Sequence, residues 1–141
     1  MRRPAPTLVA LLVVALVPLA AAALPAAERS AIRDVIEAQL EAFRRDDGAG
    51  AFAYASPAIQ RMFGTPERFM RMVREGYAPV YRPRRVDFRD LVTEGGRLTQ
   101  RVRLVGPDGR PVIANYFMER QPDGTWRIDG CVLEEVAELP V

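Results

Sequence analysis

The chain has 141 residues, 49% hydrophobic and 27% charged, with a net charge of +2, one cysteine and no histidine. This size and balance describe one globular domain around one core, not a disordered segment. Without His there is no imidazole-based triad and no common metal ligand, and a lone Cys allows neither an intrachain disulfide nor a thiolate cluster. No metal and no cofactor is therefore expected.

Arg2 and Arg3 precede an apolar run over residues 8–24, which reaches small residues at Ala21, Ala22 and Ala23. That layout predicts a secretory signal peptide over residues 1–23, cleaved after Ala23 or, as a second choice, after Ala27. The run is about 17 residues with Pro18 inside it, at the short limit for crossing a bilayer. Left uncleaved, residues 8–24 would anchor the chain to the inner membrane. The expected location is thus periplasmic or secreted, in a bacterium, with membrane attachment only in the uncleaved case. Cys131 lies far from either cleavage position, so a lipoprotein is excluded.

All 20 basic residues are Arg, a usage that matches GC-rich bacterial coding and implies no mechanism. Loss of Arg2 and Arg3 brings the basic count down to the acidic count of 18. A near-neutral mature chain with dispersed Arg argues against a nucleic-acid partner, which needs a basic face.

Residues 28–138 read as a single domain, helices first. Over residues 28–46, Ile32, Val35, Ile36, Leu40 and Phe43 make one amphipathic stripe, with Gly48 expected to close the helix at its C′ position. Residues 51–54 suggest a short second turn of helix. Ser56-Pro57 and Thr65-Pro66 each place a hydroxyl cap before a proline. They open helices that carry Ile59, Met62 and Phe63, then Phe69, Met70, Val73 and Tyr77. Arg68, Arg71 and Arg74 share a face that reads as solvated.

Past Pro83 the period changes to alternation. Strands are predicted over residues 86–94, 97–105, 110–121 and 125–136, joined by hairpin turns at Gly95-Gly96, Pro107-Asp108 and Asp123-Gly124. The expected fold is α+β, with N-terminal helices packed on a curved four-stranded antiparallel sheet.

A two-residue Pro107-Asp108 loop would pair Leu104 with Pro111, Val102 with Ile113, Gln100 with Asn115 and Leu98 with Phe117 on the inner face. The outer face would then carry Thr99, Arg101 and Arg103 against Tyr116, Ala114 and Val112. The Gly95-Gly96 loop would pair Leu91 with Gln100 and Arg89 with Val102 inside, with Phe88 and Asp90 outside and Arg103 near Phe88. For the last hairpin two registers stand. A bulged Pro122-Asp123-Gly124 loop would move Trp126, Ile128 and Val132 to the other face from a two-residue loop, and would decide the facing of Asp129 and Cys131.

On these registers two amides, Gln100 and Asn115, meet inside an apolar face. They either bond each other or Gln39 on the first helix, or they floor a ligand cavity with Arg89 at its side. Gln39, Arg89, Gln100 and Asn115 are the candidate pocket residues. Amides hold neutral polar groups but do not titrate, so no catalytic residue is assigned. Cys131 reads as a small buried or interface thiol, and Trp126 as a core or interface anchor.

The segments IEAQLEAFRRDDGAGAFAYASP, FGTPERFMRMVREGYAPVYRPR and GTWRIDGCVLEE, in this order, resemble an exported bacterial family catalogued as domain of unknown function 4864. The similarity spans roughly residues 29–136. That family in turn resembles the nuclear transport factor 2-like (cystatin-like cone) superfamily. The resemblance implies a curved sheet wrapped around helices, an enclosed pocket and a homodimer through the outer sheet face. It implies little about chemistry, since the superfamily mixes isomerases, dehydratases and non-catalytic binders.

Three functions follow as expectations. The first is non-catalytic binding of a small neutral or amphipathic ligand in the pocket. The second is an envelope interaction or assembly module that acts through its sheet face. The third is a His-less acid/base enzyme, which would need an inward Asp beside a Tyr hydroxyl. Asp87 sits at the sheet edge, Asp129 depends on the last register, and Tyr54, Tyr77 and Tyr81 lie on helical or loop segments, so the enzyme ranks last.

Overall fold

The structure, a computed structural model, describes residues 2–5 and 24–137. Of the apolar run over residues 8–24, all but Leu24 lies outside them, as do residues 6 and 7 of the expected signal peptide. Among the described residues no helix is long and apolar enough to cross a membrane.

The apolar stripe of the first helix forms as its spacing demands. Helix α1 (Ala26–Arg44) buries Ile32, Ile36, Leu40 and Phe43 together with Gln39. Its end differs from expectation. The left-handed residue is Asp46, at φ 54°, and Gly48 begins the next helix. Asp47 N–H donates to Ala42 O at 2.8 Å and Asp46 N–H to Phe43 O at 3.0 Å, the paired bonds of a Schellman ending. Asp tolerates this conformation better than most side chains, and here its carboxylate is also engaged. Tyr81 Oη donates to Oδ1, and Arg82 Nη2 donates to Oδ2 at 3.0 Å. The Tyr81 hydrogen bond, ahead of the Arg82 charge, holds the Asp46 carboxyl below its ordinary range.

Asp47 caps α2 (Gly48–Ala53) by accepting from Gly50 N–H at 2.9 Å. The two hydroxyl–proline starts behave as read. Ser56 Oγ accepts from Ile59 N–H ahead of α3 (Pro57–Phe63), and Thr65 Oγ1 accepts from Arg68 N–H ahead of α4 (Pro66–Gly76), both at 3.3 Å. A short α5 (Ala78–Tyr81) follows, where no helix was expected. Arg68, Arg71 and Arg74 are exposed.

The strands β1 (Arg85–Glu94), β2 (Arg97–Val105), β3 (Pro111–Arg120) and β4 (Trp126–Glu135) make one antiparallel sheet in chain order. The helices cover one face. The architecture is α+β, as the change from helical to alternating period implied.

The β2–β3 register is shifted by one residue from the expected one. Val102 faces Ala114, Gln100 faces Tyr116 and Arg101 faces Asn115. The cause is the loop. Gly109 N–H donates to Gly106 O and Gly106 N–H to Arg110 O, each at 3.0 Å, so Pro107-Asp108-Gly109 is a three-residue loop. It is a turn followed by a left-handed Gly109 at φ 77°, the bulged hairpin form. A one-residue shift inverts every side chain. Val112, Ala114, Tyr116 and Met118 therefore face the helices, and Ile113, Asn115 and Phe117 face outward, the reverse of expectation.

The last hairpin uses the same device. Gly124, at φ 85°, closes Pro122-Asp123-Gly124, with Gln121 N–H donating to Thr125 O at 2.8 Å. This is the bulged alternative, and it buries Trp126 and Ile128. A shift between Phe117 and Met118 then restores Cys131 opposite Tyr116 and leaves Val132 on the outer face, 53% exposed.

The Gly95-Gly96 loop pairs Leu91 with Gln100 as expected, but a bulge at Arg89 and Asp90 resets the rest, so that Phe88 faces Val102. Phe88 consequently turns inward, and Arg33 of α1, not Arg103, stacks over its ring at 4.6 Å. The buried Gln100 amide closes this bulge. Its Nε2 lies within hydrogen-bond distance of Arg89 O (2.9 Å), Asp90 O (3.3 Å) and Arg101 O (3.0 Å). Gln100→Leu, similar in size but unable to donate, should therefore destabilise the domain by about 1–3 kcal/mol. Urea unfolding would measure this, and an unchanged midpoint would refute the role.

Candidate functional site

A cavity of about 270 Å³ lies between the helices and the β3–β4 half of the sheet. Gln39 and Phe43 of α1, Ile59, Met62 and Phe63 of α3, Phe69, Met72 and Val73 of α4, and Val80 of α5 line it on the helical side. The sheet contributes Tyr116, Ile128, Gly130 and Cys131. Phe69 packs against Phe43 and Phe52 in tilted contacts and against Phe63 edge-on, with ring centroids 5.4–6.1 Å apart, which forms one wall. Met62 lines the cavity and is also 71% exposed, so the cavity opens to solvent there.

Four polar groups interrupt this apolar lining. Gln39 Nε2 donates to Ala51 O at 3.1 Å, and Tyr77 Oη donates to Cys131 O at 3.0 Å. The Tyr116 hydroxyl is buried with no hydrogen-bond partner. Burial pushes the Cys131 thiol up to about 12. It also raises Tyr77, and Tyr116 well above the usual phenol value, each with a smaller contribution from Cys131. All three keep their protons near neutral pH.

The four amide and guanidinium candidates do not come together. Gln39 lines the cavity. Gln100 is occupied at the β1 bulge. Arg89, on that bulge, is exposed and lines a different, open cleft of about 740 Å³ between α1 and β1, with Arg33, Glu37, Glu41, Arg44, Arg85 and Asp87 around it. Asn115 lies on the outer face, where its Nδ2 reaches Val132 O and Glu134 Oε2 only at 3.4 Å and its Oδ1 is buried without a partner. The Gly109 loop overturns the expected Gln100–Asn115 pairing and turns Asn115 outward, while the β1 bulge separates Arg89 from Val102.

Tyr77 lines the cavity from the end of α4, on the stripe it shares with Phe69, Met70 and Val73. The Gly109 loop turns Tyr116 inward, against the outer facing that the expected register implies. The available signal was the repeated Pro-Asp-Gly of residues 107–109 and 122–124, which marks a turn ending in a left-handed glycine.

The third candidate chemistry needs a free inward carboxylate. Asp129 instead accepts from Ser56 Oγ at 2.7 Å through Oδ1 and pairs with Arg97 at 2.9 Å through Oδ2. Arg97 in turn stacks over Phe117 at 3.9 Å. Ser56 is fully buried, and its N–H donates to Ile128 O at 2.8 Å beside the Ala55–Ile128 bridge. These bonds tie the start of α3 to β4, which gives Asp129 a structural role. Among the described residues no group of three or more Cys, Asp or Glu is arranged to hold a metal ion.

No curated protein and no solved structure matches this chain. A family model does, over residues 25–140, which takes in every helix and strand described above, and the chain therefore belongs to the family described as Domain of unknown function (DUF4864).

Proposed function

We propose that this domain is a non-catalytic receptor for a small neutral or amphipathic molecule held in the cavity between α1, α3, α4, α5 and the β3–β4 hairpin. The observation that carries this reading is the composition of the wall. It is apolar and aromatic with a few polar groups, the ordinary make-up of a ligand pocket. Among the described residues it presents no ionised side chain. A charged ligand would lose its hydration there without gaining a counter-charge, which is costly in a low-dielectric site.

The titratable groups of the wall support binding over catalysis. General acid/base work favours a pKa near the working pH, whereas burial moves Cys131, Tyr77 and Tyr116 upward and away from it. The helices-on-sheet architecture around a pocket also fits the nuclear transport factor 2-like cone. Export remains part of the proposal, with cleavage after Ala23. Leu24 belongs to the core at 5% exposed, and cleavage after Ala27 would remove it.

Native mass spectrometry of the domain purified from its host's envelope fraction tests the reading. The expected spectrum shows a mass excess that disappears on denaturation and is absent from Ile59→Trp, which fills the cavity. An empty wild-type domain that also fails to bind apolar dyes would overturn it.

The thiol gives a second check. A group whose pKa is raised in the folded state holds its proton until pH climbs through the folded value, so the thiolate stays scarce at pH 8. With ordinary thiols near 8.5, Cys131 should react with iodoacetamide about a thousandfold more slowly folded than unfolded. Equal rates would show that the cavity wall is not dry.

A second reading, an assembly module that pairs two copies through the outer sheet face, draws on Asn115 and Val132. A buried, unpartnered Asn115 Oδ1 next to an exposed Val132 is what an uncovered contact face presents. Light scattering should then give a dimer mass that Val132→Arg reduces to a monomer. A wild-type monomer at high concentration would remove this reading.

A further inference from the structure

Helix α3 covers one side of the cavity. Each of its large apolar side chains, Ile59, Met62 and Phe63, lines the space, yet among the described helices α3 alone contains no buried residue. Its polar ties are gathered at its start. Ser56 Oγ donates to Asp129 Oδ1 at 2.7 Å and Ser56 N–H to Ile128 O at 2.8 Å. Gln60 Nε2 lies 3.0 Å from Phe52 O and 3.2 Å from Ala55 O. The last turn has the edge-on contact of Phe63 with Phe69 and ends at Gly64, whose φ of 78° is open to glycine at little cost. In that turn Met62 is 71% exposed at the mouth of the cavity. A methionine left in water beside an apolar cavity forgoes burial that a shift of the helix end would supply.

Resting on the binding reading above, we propose that α3 is a lid that closes over the bound ligand. It pivots about Ser56, Gly64 takes up the change in backbone angle, and Met62 moves from water onto the ligand. The driving force is apolar area that neither side covers alone: the face of the ligand left at the mouth and the Met62 side chain. A ligand shifts such an equilibrium only through contacts made in the favoured state, and Met62 supplies that contact. Methionine suits the position, since its unbranched, flexible chain fits ligands of different outline. The tied start keeps the lid in place. The lightly packed end supplies its travel, as low-stability elements do around binding sites. In the ligand-free domain α3 opens while α1, α4 and the sheet stay closed.

Amide hydrogen exchange followed by NMR, with the neutral hydrocarbon indane as probe, provides the test. In the free domain the amides of residues 60–64 should be protected about tenfold less, or weaker still, than those of Ile36 and Leu40 in α1. Indane at about ten times its Kd should slow exchange at residues 60–64 about tenfold, because the open lid does not hold the probe. Met62→Gln, at an exposed position, should leave the urea midpoint unchanged and weaken indane binding about tenfold, the scale of burying part of one methionine. Equal protection of α3 and α1 in the free domain, or exchange at α3 that bound indane does not slow, would overturn the lid and leave the cavity-binding reading intact. So would an unchanged affinity in Met62→Gln. No response of the Met72 methyl group to indane would overturn both. The wild-type exchange comparison stands even if the variant fails to fold.

Discussion

A left-handed glycine at the end of each three-residue hairpin loop governs which side of the sheet meets the helices. Gly109 and Gly124 carry φ values of 77° and 85°, open to glycine at little cost and poorly tolerated by other residues. Each adds one residue to its loop relative to a two-residue turn. Because strand side chains alternate with a period of two, that single residue decides the facing of all ten positions of β3. Tyr116 enters the cavity wall and Asn115 leaves it as a direct consequence. Asp108 and Asp123 reinforce the choice, since each side chain accepts from the backbone N–H two residues on, at 2.9 Å.

Regular strands already twist, and bulges at Arg89–Asp90 and at Asp129–Gly130 interrupt the ladder, where an unpaired extra residue adds local bend and twist. They have different supports. The first is held by the Gln100 amide from inside the sheet. The second is held by the Asp129 carboxylate, clamped between Ser56 and Arg97. The buried Gln100 amide and the part-buried Asp129 carboxylate therefore both serve the fold. Among the described residues, the buried polar side-chain atoms without a partner are the Tyr116 hydroxyl and the Asn115 carbonyl oxygen.

Much of the fold was legible because local chemistry and global packing agree. The Ile32–Ile36–Leu40–Phe43 stripe, the Ser56 and Thr65 caps and the change of period after Pro83 each report a single physical preference, and tertiary structure did not override it. The site was less legible because it depends on relations between segments. Gln39 could be placed from α1 alone, as the polar member of a buried stripe. Gln100, Asn115 and Tyr116 needed the β2–β3 register, where two loop forms compete and the difference lies in one glycine torsion. Asp46 shows the same limit, since its left-handed turn is accompanied by carboxylate contacts to Tyr81 and Arg82, about 35 residues downstream. Helix α5 was equally hidden, being four residues long and held by its neighbours more than by propensity.

Among the described residues, the two buried polar atoms without a partner sit on consecutive residues of β3, one beneath the helices and one on the outer side of the sheet. Apolar residues at either position would be free of that desolvation cost, and both positions are buried. Their neighbours do not share the burden: Ala114 and Phe117 carry no polar side-chain atom. The rest of each side chain has a structural use. The Asn115 amide nitrogen reaches across to Val132 O and Glu134 Oε2 of β4, and the Tyr116 ring fills the layer between sheet and helices, between Gln100 and Cys131 in the ladder. The desolvation cost of one polar atom on each is thus set against packing and cross-strand contacts made by the remainder of the same side chain.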